Sequence, residues 1–162
     1  VNWAEFLKAA PELGRLAREV FEEQNLAILG TNRRDGWSRI SPCEVYFVDG
    51  EMLLGMMLDS AKVLDLRRDS RITVVNGQEM REPRFGDVKL YGRAREITDE
   101  QLRDRFADVQ EAAINWRPTR FNLFALDIER AAYISFGEGR RLLRWSAKSG
   151  LEELQHPERG ES

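Results

Sequence analysis

The 162-residue sequence holds a single cysteine, Cys43, and a single histidine, His156. One thiol rules out an intrachain disulfide and a thiolate metal cluster, and it fits a reducing, cytoplasmic setting. The shortage of histidine excludes more. A Ser-His-Asp hydrolase, a Cys-His protease and a histidine-rich zinc site each need an imidazole fixed in a core or cleft. His156 instead falls in a polar stretch with Pro157 and Gly160 that is expected to fray. Charge of one sign is also missing: 25 Lys and Arg against 28 Asp and Glu leave a net −3, so no nucleic-acid partner is expected. No apolar run approaches the ~20 residues of a membrane-spanning helix. The residues Val1-Asn2-Trp3-Ala4-Glu5 do not set a basic region before an uninterrupted apolar stretch, so neither a membrane nor a secretory destination is expected. No Gly-x-Gly-x-x-Gly turn is present to point to a Rossmann site.

What the chain does contain is one domain's worth of patterned sequence, residues 1–148, followed by a polar tail over 149–162. Leu13, Leu16, Ala17, Val20 and Phe21 recur at helical spacing within residues 3–23, with a break or restart at Pro11. Leu26 to Asn32 and Trp37 to Val48 read as strands joined through Asp35-Gly36, the pair that supplies the positive φ a tight hairpin needs. Pro42 cannot donate to a ladder and should mark a bulge or an edge. After a second turn at Asp49-Gly50 comes Met52-Leu53-Leu54-Gly55-Met56-Met57-Leu58, apolar on nearly every residue. Such a strand is buried on both faces and needs a cover, either the N-terminal helix or a second subunit. Ile72 to Val75 gives another strand, Gln78 to Phe85 an exposed loop, and Val88 to Arg95 an alternating, half-buried strand. Thr98-Asp99-Glu100-Gln101 reads as a capping box opening a helix through Leu102, Phe106, Val109, Ala113 and Trp116, stopped by Pro118. Phe121 to Ile128, Ala131 to Phe136 and Arg141 to Ser146 read as closing strands. Hairpin connections throughout favour a six- to seven-stranded antiparallel barrel with flanking helices, a mainly β fold.

One corner stands out chemically. Between the apolar strand and a short charged helix lie Ser60, Ala61 and Lys62: a hydroxyl, free backbone N–H groups at a helix start, and one cation. Helix N-termini attract anions because their first N–H groups lack intrahelical partners and the dipole is positive there. An ordinary capped helix with a solvated lysine has the same residues.

Several segments in order carry a resemblance. These are the strand 26–32, the Asp35-Gly36 hairpin, Ser41-Pro42 in the next strand, the apolar strand 52–58, the Ser60-x-Lys62 corner, and Arg67-Arg68-Asp69-Ser70-Arg71 closing the helix. Together they resemble the pyridoxamine-phosphate-oxidase-like, flavin-binding split barrels. The resemblance implies a homodimer that binds flavin mononucleotide (FMN) in a groove between subunits and transfers hydride or electrons to a small-molecule substrate. A deazaflavin, or a haem held without turnover, is the alternative cofactor. Carried over, Lys62 would pair with the phosphate, Ser60 and Ala61 would bind it at the corner, and Arg39 and Ser41 would line the groove. Pro42, Met56 and Met57 would lie by the ring. Asp65, one turn after Lys62, would need a cation such as Lys62 or Arg68 to offset it. Arg141-Leu142-Leu143-Arg144-Trp145 lacks the Arg-Leu-x-Pro ending of true pyridoxamine phosphate oxidases, so pyridoxal phosphate synthesis is not implied. Arg33, Arg34, Arg67, Arg68 and Arg71 are the candidates for an oligoglutamyl tail site, but mixed charges on a short helix are usually a solvated face, and FMN is the expected cofactor. The surplus of apolar surface on strand 52–58 and on Trp116, Phe121, Phe124 and Tyr133 leads to the expectation of a dimer.

Overall fold

The structure, a computed structural model, describes residues 1–77 and 86–157; the loop expected over 78–85 and the last five residues of the tail lie outside the described residues. The N-terminal stretch forms two helices, α1 (Trp3–Ala9) and α2 (Pro11–Gln24). Proline has no N–H to give an interior helical bond, and its fixed φ suits a first turn, so the chain restarts at Pro11 instead of continuing α1. Both helices bury their apolar faces, Trp3 and Phe6 from α1 and Leu13, Ala17 and Phe21 from α2.

Three strands follow as a meander, β1 (Leu26–Asn32), β2 (Ser38–Val48) and β3 (Glu51–Met57). A short helix, α3 (Ala61–Arg68), leads to β4 (Arg71–Asn76), and β5 (Asp87–Glu96) precedes α4 (Glu100–Ile114). The chain closes with β6 (Phe121–Ile134), β7 (Leu142–Ser146) and β8 (Gly150–Leu154). Neighbours run in the order β3-β2-β1-β4-β5-β6-β7-β8, and β3 pairs with β6 to close the first six strands into an antiparallel barrel. This is the expected split barrel, extended by a two-strand flap.

The strands expected at 121–128 and 131–136 are one strand. Its first half pairs with β3, Leu53 opposite Ala125, and its second half with β7, Arg130 opposite Ser146. The polar pair Glu129-Arg130 interrupts the hydrophobic pattern but not the ladder, because the opposing β5 shifts register between Tyr91 and Gly92. A side chain at Gly92 would place its Cβ 2.0 Å from the Asp127 carbonyl oxygen, so the crossing needs glycine there. Part of the expected polar tail is likewise strand. β8 lies against β7 and is tied by charge: Arg141 bonds Glu153 at 3.0 Å and also reaches Glu12 of α2, while Arg144 bonds Glu152 at 3.3 Å. His156 does not fray; it is buried, edge-on to Phe136 at 5.9 Å. A strand held by its ladder and its charges leaves little trace in hydropathy.

Two smaller expectations also change. Asp99, not Thr98, caps α4, accepting from the Leu102 N–H at 2.8 Å, and the helix ends on Asn115 in the left-handed conformation before Pro118 is reached. At Pro42 the β1–β2 register is regular, Ile28 opposite Pro42, and β3 joins β2 only from Glu44 onward. Pro42 therefore sits on an open edge without a bulge, which a residue lacking a ladder donor tolerates.

β3 is buried on both faces, and each face has its own cover. Met52, Leu54 and Met56 join the barrel-interior cluster with Trp3, Phe6 and Phe21 of the N-terminal helices. Leu53 belongs to a second cluster with Tyr46, Val48, Phe106 and Leu123, beneath α4. The outer cover is thus α4. Phe124 and Tyr133, counted among the surplus aromatics, are also core, whereas Trp116 is 58% exposed. Among the described residues no helix is long and apolar enough to cross a membrane.

Candidate functional site

The corner after β3 is fixed by hydrogen bonds from outside it. Asp59 turns the chain with φ 50°, a conformation an L-residue adopts only with support. Its N–H donates to Asn122 Oδ1 on β6 at 2.8 Å, and Asn122 Nδ2 donates to Glu96 Oε1 on β5 at 3.1 Å. Arg67 of α3 completes the clamp, donating to Glu96 at 3.0 and 2.6 Å and to Asp59 Oδ1 at 2.9 Å. Ser60 follows as the N-cap of α3, yet its side chain caps nothing; its Oγ is buried without a hydrogen-bond partner. A buried hydroxyl in that state carries an unmet desolvation cost. Lys62 Nζ reaches across to donate to the Pro42 carbonyl at 2.7 Å, which leaves its other donors uncommitted.

Beside this corner opens a cavity of about 410 Å³, within the range of small-molecule sites. Of the residues expected at the site, Pro42, Met56, Met57 and Lys62 line it; Ser60 and Ala61 precede Lys62 at the start of α3 and are not on its wall. Arg39 and Ser41 are not on its wall. Arg39 is turned to Asp65 at 2.7 Å, while the Ser41 Oγ is buried without a partner. The wall also holds residues that sequence reasoning passed over, chiefly Glu44, Phe106, Gln110, Trp116 and Arg120. One signal was available. In α4 the buried face runs through Phe106, Ala107 and Gln110, whereas Val109 is 38% exposed, so a polar residue four after Phe106 marks the stripe that turns inward.

The electrostatics divide the region. Asp65 is buried on α3; Thr31 donates to it at 3.1 Å, Arg39 at 2.7 Å and Arg68 at 3.3 Å. Burial alone would push its carboxyl up, but the bonds from Arg39, Thr31 and Arg68 outweigh it and hold the group below the usual carboxylate range. The cation that Asp65 needed is therefore Arg68 together with Arg39, and Lys62 is left to the corner. Cys43, on the cavity wall, donates to the Gly55 carbonyl at 3.0 Å. Burial pushes its thiol up to about 12, with the Lys62 charge opposing and Glu44 adding to the shift, so it stands as a thiol and not a nucleophile.

A family model described as pyridoxamine 5'-phosphate oxidase matches residues 13–135, a span that runs from α2 through the whole barrel. The chain belongs to this family. The fold recurs in solved structures at low identity. PhzG from Burkholderia lata 383, solved with tetrahydrophenazine-1-carboxylic acid, is 14% identical over 91% of this chain and 93% of its own, with a TM-score of 0.67. A NimC/NimA family protein from Clostridium acetobutylicum is 12% identical over 86% of this chain and 97% of its own, TM-score 0.68. A haem-binding protein from Mycobacterium smegmatis is 21% identical over 81% of this chain at a TM-score of 0.64, and the chain spans 56% of that protein's length. No curated protein matches. At such identities the likenesses establish the fold alone.

Proposed function

We propose that the protein is an FMN-binding oxidoreductase that acts on a small molecule as a homodimer. The observation that carries the cofactor is Ser60: a buried hydroxyl without a partner, at an α-helix N-terminus with no side-chain cap, beside a lysine with donors to spare. A phosphate fits that donor set, since the hydroxyl, the first N–H groups of α3 and Lys62 all donate. The apolar wall next to the corner, with Pro42, Met56 and Met57, fits a flat ring. FMN, when bound, supplies the two-electron chemistry, which the residues of the cavity need only orient and shield.

The arginines favour FMN over a deazaflavin. Four of the five candidates, Arg67, Arg68, Arg71 and Arg33, pair with a carboxylate of this chain, Arg71 with Asp69 at 2.6 Å and Arg33 with Asp35 at 2.8 Å, so an acidic tail would have to displace internal partners at all of them but Arg34. For haem, the wall offers no histidine among the described residues and its thiol is held protonated. Dimerisation is supported by the apolar side chains left around the cavity and along β2: Met57 is 76% exposed, Trp116 58% and Ile40 66%.

Titration of the purified protein with FMN, riboflavin and a deazaflavin, followed by visible absorption, tests the cofactor. FMN binding tighter than riboflavin binding is expected. A haem absorption band, or tighter and strongly salt-dependent deazaflavin binding, would overturn the choice. Sedimentation as a monomer at micromolar concentration would overturn the dimer.

A further inference from the structure

The cavity wall carries a carboxylate without a cation. Glu44 accepts a hydrogen bond from Gln110 Nε2 at 2.7 Å, and among the described residues no lysine or arginine lies within ion-pair distance of it. Other half-buried or buried carboxylates of the barrel are treated differently: Asp65 has Arg39 and Arg68, Glu96 has Arg67, and Glu51 has Arg95. A half-buried carboxylate bonded only to a neutral amide keeps acceptor capacity for a cationic partner. Gln110 itself is 1% exposed, within the face of α4 that otherwise buries Phe106 and Ala107. A buried amide needs a partner, and its Nε2 spends its bond on holding the Glu44 carboxylate in place.

The surroundings define what would complete it. Glu44 pairs in register with Gly55, and the ring of Phe106 lies directly over Gly55, 2.5 Å from where a Cβ would stand. Trp116 and Phe121 add further aromatic wall. A carboxylate among aromatic faces suits an organic cation, which gains from both. Lys62 and Arg120 share the wall and would oppose it. A phosphate dianion at the corner offsets those two, and the Glu44 charge is then the one left over.

We propose that Glu44, oriented by Gln110, recognises a protonated nitrogen on a small aromatic substrate in this cavity. The charge balance rests on the FMN reading, and the geometry does not. Benzylamine, protonated at neutral pH, and benzyl alcohol, its neutral near-isostere, serve as probes in calorimetric titrations of the protein equilibrated with FMN. Wild-type protein is expected to bind the ammonium about tenfold more tightly than the alcohol, and Glu44→Gln to bring the two within about twofold. Gln110→Met keeps the charge but removes its orienting donor, and should reduce the preference to about threefold. Equal affinities in the wild type, or a preference that survives both substitutions, overturns the proposal. If wild-type protein takes up no FMN, the cofactor reading fails instead, and the same comparison of wild type with Glu44→Gln, made without flavin, still decides for or against Glu44.

Discussion

Asp65 on α3 and Glu44 on β2 are two carboxylates at one end of the same molecule's site region, and they are treated in opposite ways. Asp65 is 4% exposed and takes donors from Arg39, Arg68 and Thr31, which join α3 to β2 and β1. Glu44 is half-buried and takes one neutral amide. The first arrangement is complete without any ligand: every charge is answered from within the chain, and its role is to fix α3 against the barrel. The second is incomplete in the same sense that the Ser60 hydroxyl is incomplete. Burial therefore does not separate scaffold from site here. What separates these two carboxylates is whether a cation of this chain answers the charge, as Arg39 and Arg68 do for Asp65 and none does for Glu44 among the described residues.

The sharpest way to break the comparison is to remove the scaffold carboxylate. Asp65→Leu strands two guanidinium groups and a threonine hydroxyl, and one-sided removal of a buried pair costs 3–5 kcal/mol. Arg39 and Arg68 keep 31% and 35% exposure and can turn to water, so a loss of about 3 kcal/mol is expected, read from the urea midpoint.

Next in size is a change on the ligand side. Lys62→Ala should weaken FMN by about tenfold to a hundredfold while leaving riboflavin nearly unaffected, since a charge-assisted bond contributes roughly 1.5–3 kcal/mol. The fold itself should not notice, as Lys62 makes only its bond to the Pro42 carbonyl. Equal weakening of both flavins would move the phosphate away from the corner.

That the strand-to-helix corner and the Pro42, Met56 and Met57 side of the cavity were legible in sequence, while the side under α4 was not, has a physical reason. Ser60, Ala61 and Lys62 are adjacent, and their geometry follows from a strand running into a helix. The barrel was legible for the same reason, through local alternation and hairpin turns. Glu44, Gln110 and Trp116 meet only because α4 folds over β2 and β3, and nothing in the spacing of 44, 110 and 116 encodes that contact. Arg39 shows the reverse failure: the right residue type on the right strand, claimed by Asp65 once the helix is in place. β8 was missed because cross-strand charge, not apolar alternation, holds it.

A pH titration of stability sharpens the contrast further. Asp65 has its carboxyl held down in the folded state, as do Asp69 through Arg71 and Glu96 through Arg67. A group lowered on folding contributes stability above its unfolded pKa of about 4, and the contribution is lost as pH falls through the folded value. Stability should therefore fall below about pH 4, and Asp65→Leu, which has already lost its share, should fall less steeply. Parallel curves for the two proteins would mean that the bonds to Asp65 do not favour its charged form.

The smallest expected effect is the most discriminating. Glu44→Gln keeps the side chain's length and leaves an amide oxygen that can still accept from Gln110 Nε2, so the local hydrogen bond survives. It removes a charge that no cation of this chain offsets, so no favourable ion pair is lost. The change in unfolding free energy should stay within about 0.5 kcal/mol of zero, in either direction, with an unchanged dependence on urea. A loss approaching that of Asp65→Leu would show that the Glu44 charge is structural and erase the distinction between the two carboxylates. A near-zero change, set beside a lost preference for benzylammonium, would mean that this charge is held for something the chain does not itself contain.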